Sequence, residues 1–142
     1  MSWRCLDPEC QFENEDSTVV CACCGRARRV RLVLTSSAGG TWWTMLMVEV
    51  TRSVYRHLFP GVEHQYVPRN EGEHPFSVMR ANTGEWQLVA NASSPICTVL
   101  NGQACTGGQG YALRAGDVIT IAPPTNVAKL FAPVTVSLVP VE

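Results

Sequence analysis

Five of the seven cysteines in this 142-residue chain lie between Cys5 and Cys24. A piece of about 25 residues cannot bury enough apolar surface to hold itself folded, so it needs a staple. The pairs Cys5-x4-Cys10 and Cys21-x2-Cys24 supply one, with ten residues between them. Closely spaced cysteine pairs on tight turns suit a tetrahedral Zn²⁺, which takes four soft ligands and no redox role. Cys23 is a fifth thiol beside Cys24, one more than such a site uses. The total is odd, and Met1 to Cys5 contains no apolar h-region. A disulfide scaffold and a secretory signal are therefore not expected, and the expected location is the reducing cytoplasm.

Charge and hydropathy narrow the classes further. Hydrophobic residues make up 46% and charged residues 16%, so the chain can fold around a core. The longest run of large apolar residues is Met45-Leu46-Met47-Val48, too short to span a bilayer, and no membrane partner is expected. The formal charge is −1, which argues against a broad nucleic-acid surface. Lys129 is the only lysine, and the basic cluster is Arg26, Arg28, Arg29 and Arg31. That cluster reads as a linker and solvated strand edge, with an acidic partner as the minor alternative.

From about Val30 onward, period-two patterns alternate with turn signals, and no long helical stripe is visible. The expected strands are Val30–Leu34, Trp42–Val50, Val62–Val67, Phe76–Arg80, Glu85–Ala90, Thr98–Leu100, Asp117–Ile121 and Val134–Val139. Ala81-Asn82-Thr83-Gly84 reads as a hairpin loop and Asn101-Gly102 as a tight turn. Many short strands punctuated by Gly, Pro and Asn predict an all-β sandwich. The expected division is residues 1–25, a linker over 26–31, and a sandwich over 32–142.

The N-terminal segment reads Trp3-x-Cys5-x4-Cys10-x3-Asn14-x6-Cys21-x2-Cys24. This resembles the Ran-binding-protein type zinc finger, every fixed position of whose pattern it matches. The resemblance implies two small crossed hairpins around one structural Zn²⁺. It assigns Cys5, Cys10, Cys21 and Cys24 as ligands and leaves Cys23 free. It also has Trp3 packing on the knuckles and Asn14 hydrogen-bonding the backbone between them. Ubiquitin-binding members carry a Thr-Phe pair where this chain has Gln11-Phe12, so Phe12 is the matching partner contact. RNA-binding members carry a stacking Trp that this stretch lacks. Docking on another protein is the expected role, with ubiquitin the weaker alternative and no nucleic acid.

Further on, Thr98-x-x-Asn101-Gly102 is followed by Leu113-Arg114-Ala115-Gly116-Asp117-Val118-Ile119-Thr120-Ile121. Together with Glu85-Trp86-Gln87-Leu88, His74-Pro75-Phe76-Ser77-Val78 and Val50-Thr51-Arg52, this resembles a forkhead-associated (FHA) domain. The family is a β-sandwich that reads phosphothreonine. The resemblance implies Arg52 as the phosphate fork and Thr98 as a nearby loop hydroxyl. His74, Asn101 and Gly102 brace the loops. A phosphothreonine carries nearly two negative charges and three strong acceptors, which an Arg fork and neutral loop donors satisfy.

Four positions depart from the family pattern. Glu71 stands where it has a phosphate-contacting Ser, and Ile96-Cys97 where it has Asn-Gly. Thr51 replaces the Gly before the Arg. If the 68–73 loop is shifted by an insertion, Arg69 or Asn70 takes over as donor. The resulting expectation is a non-catalytic signalling adaptor whose β domain binds a phosphothreonine-containing protein while the finger adds a second contact. The alternative is a degenerate sandwich that binds or oligomerises without phosphate. A catalytic set from His57, His64 and His74 with Cys97 or Cys105 lacks nucleophile–base spacing.

Overall fold

A computed structural model of the chain describes residues 2–60, 68, 70–81, 83–123 and 133–141. Strands β1 (Ser2–Arg4) and β2 (Glu13–Glu15) form a small hairpin by themselves. The remaining strands form two antiparallel sheets. In chain order they are β3 (Val30–Ser36), β4 (Thr41–Thr44), β5 (Met47–Glu49), β6 (Phe76–Arg80), β7 (Trp86–Ala90), β8 (Cys97–Leu100), β9 (Gln103–Ala104), β10 (Gly110–Leu113), β11 (Val118–Ala122) and β12 (Val134–Pro140). One sheet has the order β4-β3-β12-β11-β8-β9, the other β10-β7-β6-β5.

Alternation along the strands sends one set of side chains inward. Leu32, Leu34, Val134, Val136, Ile119 and Ile121 from the first sheet meet Phe76, Val78, Trp86, Leu88 and Leu113 from the second in a single apolar cluster. The chain is thus an all-β sandwich, as its punctuation predicts. Expected and observed strands agree to within about two residues wherever the pattern alternates cleanly. The segment expected as strand Val62–Val67 lies outside the described residues.

Two expectations need correcting. Trp42–Val50 is not one strand. It splits into β4 and β5, which belong to different sheets. Thr44 makes the break: its hydroxyl accepts from the Leu46 and Met47 amides and donates to the Met47 carbonyl. Such a side-chain turn takes over backbone groups that a continuing strand would otherwise pair.

The second correction is helix α1 (Arg52–Leu58), where no helix is expected. Val54, Tyr55 and Leu58 fall on one face and are buried, as is Phe59 just after it. The Tyr55 and Phe59 rings meet at 5.2 Å. Arg56 and His57 lie in the last turn, where the helix dipole favours positive charge, and Pro60 follows the end. Seven residues are too few for a helical period to stand out.

The 26–31 stretch is hydrogen-bonded on both sides. The Arg28 amide donates to Val19 O, the Arg29 carbonyl accepts from Val141, and β3 begins at Val30. The finger also meets the β6–β7 hairpin. Gly84, at φ +86°, leaves so little space that a Cβ there would stand 3.3 Å from Val19 O and 3.5 Å from Ala27 Cβ. Asn91 and Pro75 lie at the other end of β6 and β7, so the finger and the loops around those residues occupy opposite ends of the sandwich.

Leu58 is fully buried in the apolar core. Leu58→Ala should destabilise the fold by about 2–5 kcal/mol, read from the midpoint of urea unfolding with an unchanged slope.

Candidate functional site

The loop end of the sandwich is held by a few polar contacts. The Asn91 side-chain amide donates to Gly72 O at 2.9 Å and to His74 O at 2.8 Å. Its Oδ1 accepts from the Ser93 amide, and its own amide donates to Pro75 O. One side chain thus ties the 70–75 loop to the 91–94 turn. Thr98 adds a second tie, its buried hydroxyl donating to Pro75 O at 3.1 Å. On the far side the Gly108 amide donates to Ala90 O at 2.7 Å. Gly107 crosses Ala92 so closely that a Cβ would lie 2.6 Å from the Ala92 Cα. Between these loops is a depression of about 220 Å³, lined by Asn91, Ser94, Ile96, Cys97, Thr98 and Cys105 among others.

The expected site residues fall into two groups. Arg52 opens α1, two residues after Val50, whose amide donates to Phe76 O at this same end. Asn70 is exposed here, its carbonyl accepting from Glu73, and Glu71 begins the short 3-10 turn Glu71–Glu73. His74 is half-buried, and Ile96 sits in the core. Arg69 lies outside the described residues. Asn101 and Gly102 are elsewhere, in the β8–β9 turn at the opposite end of β8 from Cys97. There both have positive φ, and the Asn101 amide bonds Asp117 Oδ1 while its Oδ1 accepts from Val118. Asn91, which stitches the loops, is absent from the expected set. Its signal is the Asn-Ala-Ser-Ser-Pro run, the composition of an Asx turn.

The candidate catalytic groups have other occupations. His57 Nε2 bonds the Thr41 backbone. Burial pushes the Cys97 and Cys105 thiols up, which keeps them protonated and poorly nucleophilic near neutral pH. His64 lies outside the described residues.

The N-terminal hairpin builds a second centre. The sulfurs of Cys5, Cys10, Cys21 and Cys24 all lie within 4.8 Å of one another. Cys5 Sγ is 3.6 Å from Cys24 Sγ, and Cys10 Sγ is 3.7 Å from Cys21 Sγ. A tetrahedral ion with metal–sulfur bonds of about 2.3 Å needs sulfurs about 3.8 Å apart, so the four thiols fit one such ion. Cys23 stays outside the cluster and is exposed.

Around that cluster the polar groups are paired. Asn14 is buried; its side chain donates to Phe12 O and accepts from the Ala22 amide, joining the two knuckles. Trp3 donates to Thr18 O, with the Arg28 guanidinium 5.4 Å from its ring centroid. Burial opposes ionisation of Cys21, but the Cys24 and Cys23 amides and the Asn14 side chain outweigh it and bring the thiol down to about 6. Cys5 and Cys10 shift the other way: a backbone amide lowers each, but burial and neighbouring sulfurs outweigh it, so their protons must leave when a metal is ligated.

No known protein-family profile matches the chain, and no curated protein matches it. Solved structures do. One is the N-terminal FHA domain of S. cerevisiae Rad53p in complex with a phosphothreonine peptide, at 15% identity and TM-score 0.51, covering 75% of this chain and 91% of that one. Another is an engineered FHA domain with a Myc-pTBD peptide, at 17% identity and TM-score 0.52, covering 81% and 93%. A third is the FHA domain of an Arabidopsis thaliana hypothetical protein, at 18% identity and TM-score 0.51, covering 92% and 97%. The likeness covers most of each chain and shows that the sandwich has the FHA fold.

Two outcomes follow from the geometry. Cys24→Ser should lower the affinity for Zn²⁺ by orders of magnitude while Cys23→Ser retains one equivalent per chain, measured by colorimetric zinc release and elemental analysis. Asn91→Ala should cost about 1–3 kcal/mol, because it leaves the Gly72 and His74 carbonyls without their donor. Faster amide exchange over residues 70–75 would localise that loss.

Proposed function

We propose that the chain is a non-catalytic adaptor that captures a phosphothreonine-containing protein at the loop end of its sandwich. The observation that carries the reading is positional. On an FHA-type scaffold, Arg52 starts α1 at the same end where Asn91 and Thr98 bind together the 70–75 and 91–98 loops. An end whose loops are already ordered, with an arginine at the first position of the adjoining helix, has the residue type that a dianionic, acceptor-rich group needs. Asn70 stands on the same rim, and Arg69 belongs to the same loop in sequence. The solved FHA complex with a phosphothreonine peptide supports this at the level of the fold.

In the same proposal the four-cysteine cluster holds one structural Zn²⁺, and the finger gives the partner a second protein contact, with Phe12 exposed on the finger surface. Seven free thiols suit a reducing compartment, and a closed four-thiolate centre leaves no open coordination position for hydrolysis.

One reading competes, with particular residues in its favour. Ile96 is buried where the FHA pattern has a peptide-holding Asn, and the Thr98 hydroxyl is spent on Pro75 O. Those features favour a sandwich that binds its partner without phosphate.

Titration against a phosphothreonine peptide library, with unphosphorylated and phosphoserine controls, separates the two. Phosphothreonine-dependent binding should weaken about ten- to a hundredfold on Arg52→Ala, as loss of a charged hydrogen-bond fork implies. Equal binding of phosphorylated and unphosphorylated peptides would select the second reading.

A further inference from the structure

A groove of about 570 Å³ runs along β1 of the finger, away from the loop end, and Cys5 is the one residue of the four-cysteine cluster that lines it. One wall is β1, the other the 26–29 stretch, with Val141 at the end of β12. Two properties of this groove point to the same class of ligand.

The first is its charge. Arg4, Arg26, Arg28 and Arg29 line it, against the carboxylates of Asp7 and Glu13 alone. Glu13 is engaged by Arg4 at 3.1 Å and by the Ser2 hydroxyl at 2.8 Å, and Asp7 by Arg26 at 3.1 Å. Arg28 is engaged at 3.2 Å by Asp16, which lies outside the groove. Arg29 is exposed and has no acidic partner among the described residues. The Arg4 and Arg26 side chains are 63% and 72% exposed, so both ion pairs are open to exchange with a ligand carboxylate.

The second is an unpaired strand edge. The Cys5 amide donates to Phe12 O, and Trp3 opposes Asn14 two positions along the ladder. Bonded and non-bonded pairs alternate in an antiparallel ladder, so the backbone groups of Ser2 and Arg4 point away from β2. Ser2 and Arg4 line the groove, and among the described residues no strand pairs with that edge. A free edge accepts an extended segment through its main chain, with neighbouring pockets choosing the side chains.

We propose that this groove binds an extended acidic peptide segment, added to the open edge of β1 and held by Arg29, Arg4 and Arg26. The proposal locates the finger's second protein contact and is independent of the phosphothreonine reading. A peptide fits better than single-stranded RNA because no aromatic face is available for base stacking. Trp3 is 6% exposed and covered by Arg28, and Phe12 lies outside the groove.

The test uses the full, zinc-loaded chain. Its probe is a fluorescein-labelled eight-residue peptide alternating Glu and Val. The peptide should bind saturably and lose affinity when Gln replaces Glu. Arg29→Glu should weaken it roughly tenfold, since an attraction becomes a repulsion, and Glu13→Gln should tighten it by freeing Arg4. N-methylation of alternate peptide amides should abolish binding if the edge is used. Circular dichroism and zinc content establish that each variant is folded. Competition by a saturating phosphothreonine peptide, tighter binding of an oligouridine, or indifference to both substitutions would each overturn the proposal. Failure of the phosphothreonine peptide to bind at all leaves the Glu–Val titration readable by itself.

Discussion

The ladder between β3 and β12 is the constraint on which the rest is hung. It pairs seven residues, from Val30 opposite Pro140 to Ser36 opposite Val134. These are the first and last strands of the sandwich, so the ladder closes the fold across nearly the whole chain. It also carries four core side chains, Leu32, Leu34, Val134 and Val136. Non-local pairing of this kind is entropically expensive to form and is stable only because the inward face is buried as it forms. Once closed, it fixes the start of β3 beside Val141, and with it the position of everything N-terminal.

The two centres of the chain follow from different physics. The loop end rests on neutral hydrogen bonds from Asn91 and Thr98 to backbone carbonyls that the loop could not otherwise satisfy. The finger has almost no apolar interior beyond Trp3 and its cysteines, so its fold depends on ligand geometry and on Asn14. Loss of the Asn91 side chain at the first end and of metal at the second therefore act on separate parts of the molecule. Gly84 is a point where the finger touches the sandwich, since the turn it makes receives Val19 and Ala27.

What the sequence made legible was whatever carried a period or a fixed spacing. Phe76–Arg80 and Val134–Val139 alternate cleanly and emerge as β6 and β12, and the cysteine spacing marks a cluster whose sulfurs do converge. The helix was hidden because seven residues make only two turns, and Val54-Tyr55 reads as well in a strand. The β4–β5 break was hidden because it rests on a single threonine hydroxyl inside an otherwise continuous apolar run. Asn91 was missed for a related reason. Its importance lies in the carbonyls it reaches, 17 and 19 residues upstream, and composition says nothing of those distances.

The finger and the Asn91 loops sit at opposite ends of the sandwich. Strands of seven residues at about 3.3 Å per residue make that body roughly 23 Å long. No short linear motif can reach both ends at once. A ligand that grips the molecule twice must carry its two epitopes on a tether of at least about seven extended residues, longer if it bends around the sheet. The fold therefore acts as a ruler, and its effective concentration gain is reserved for partners whose spacing matches it.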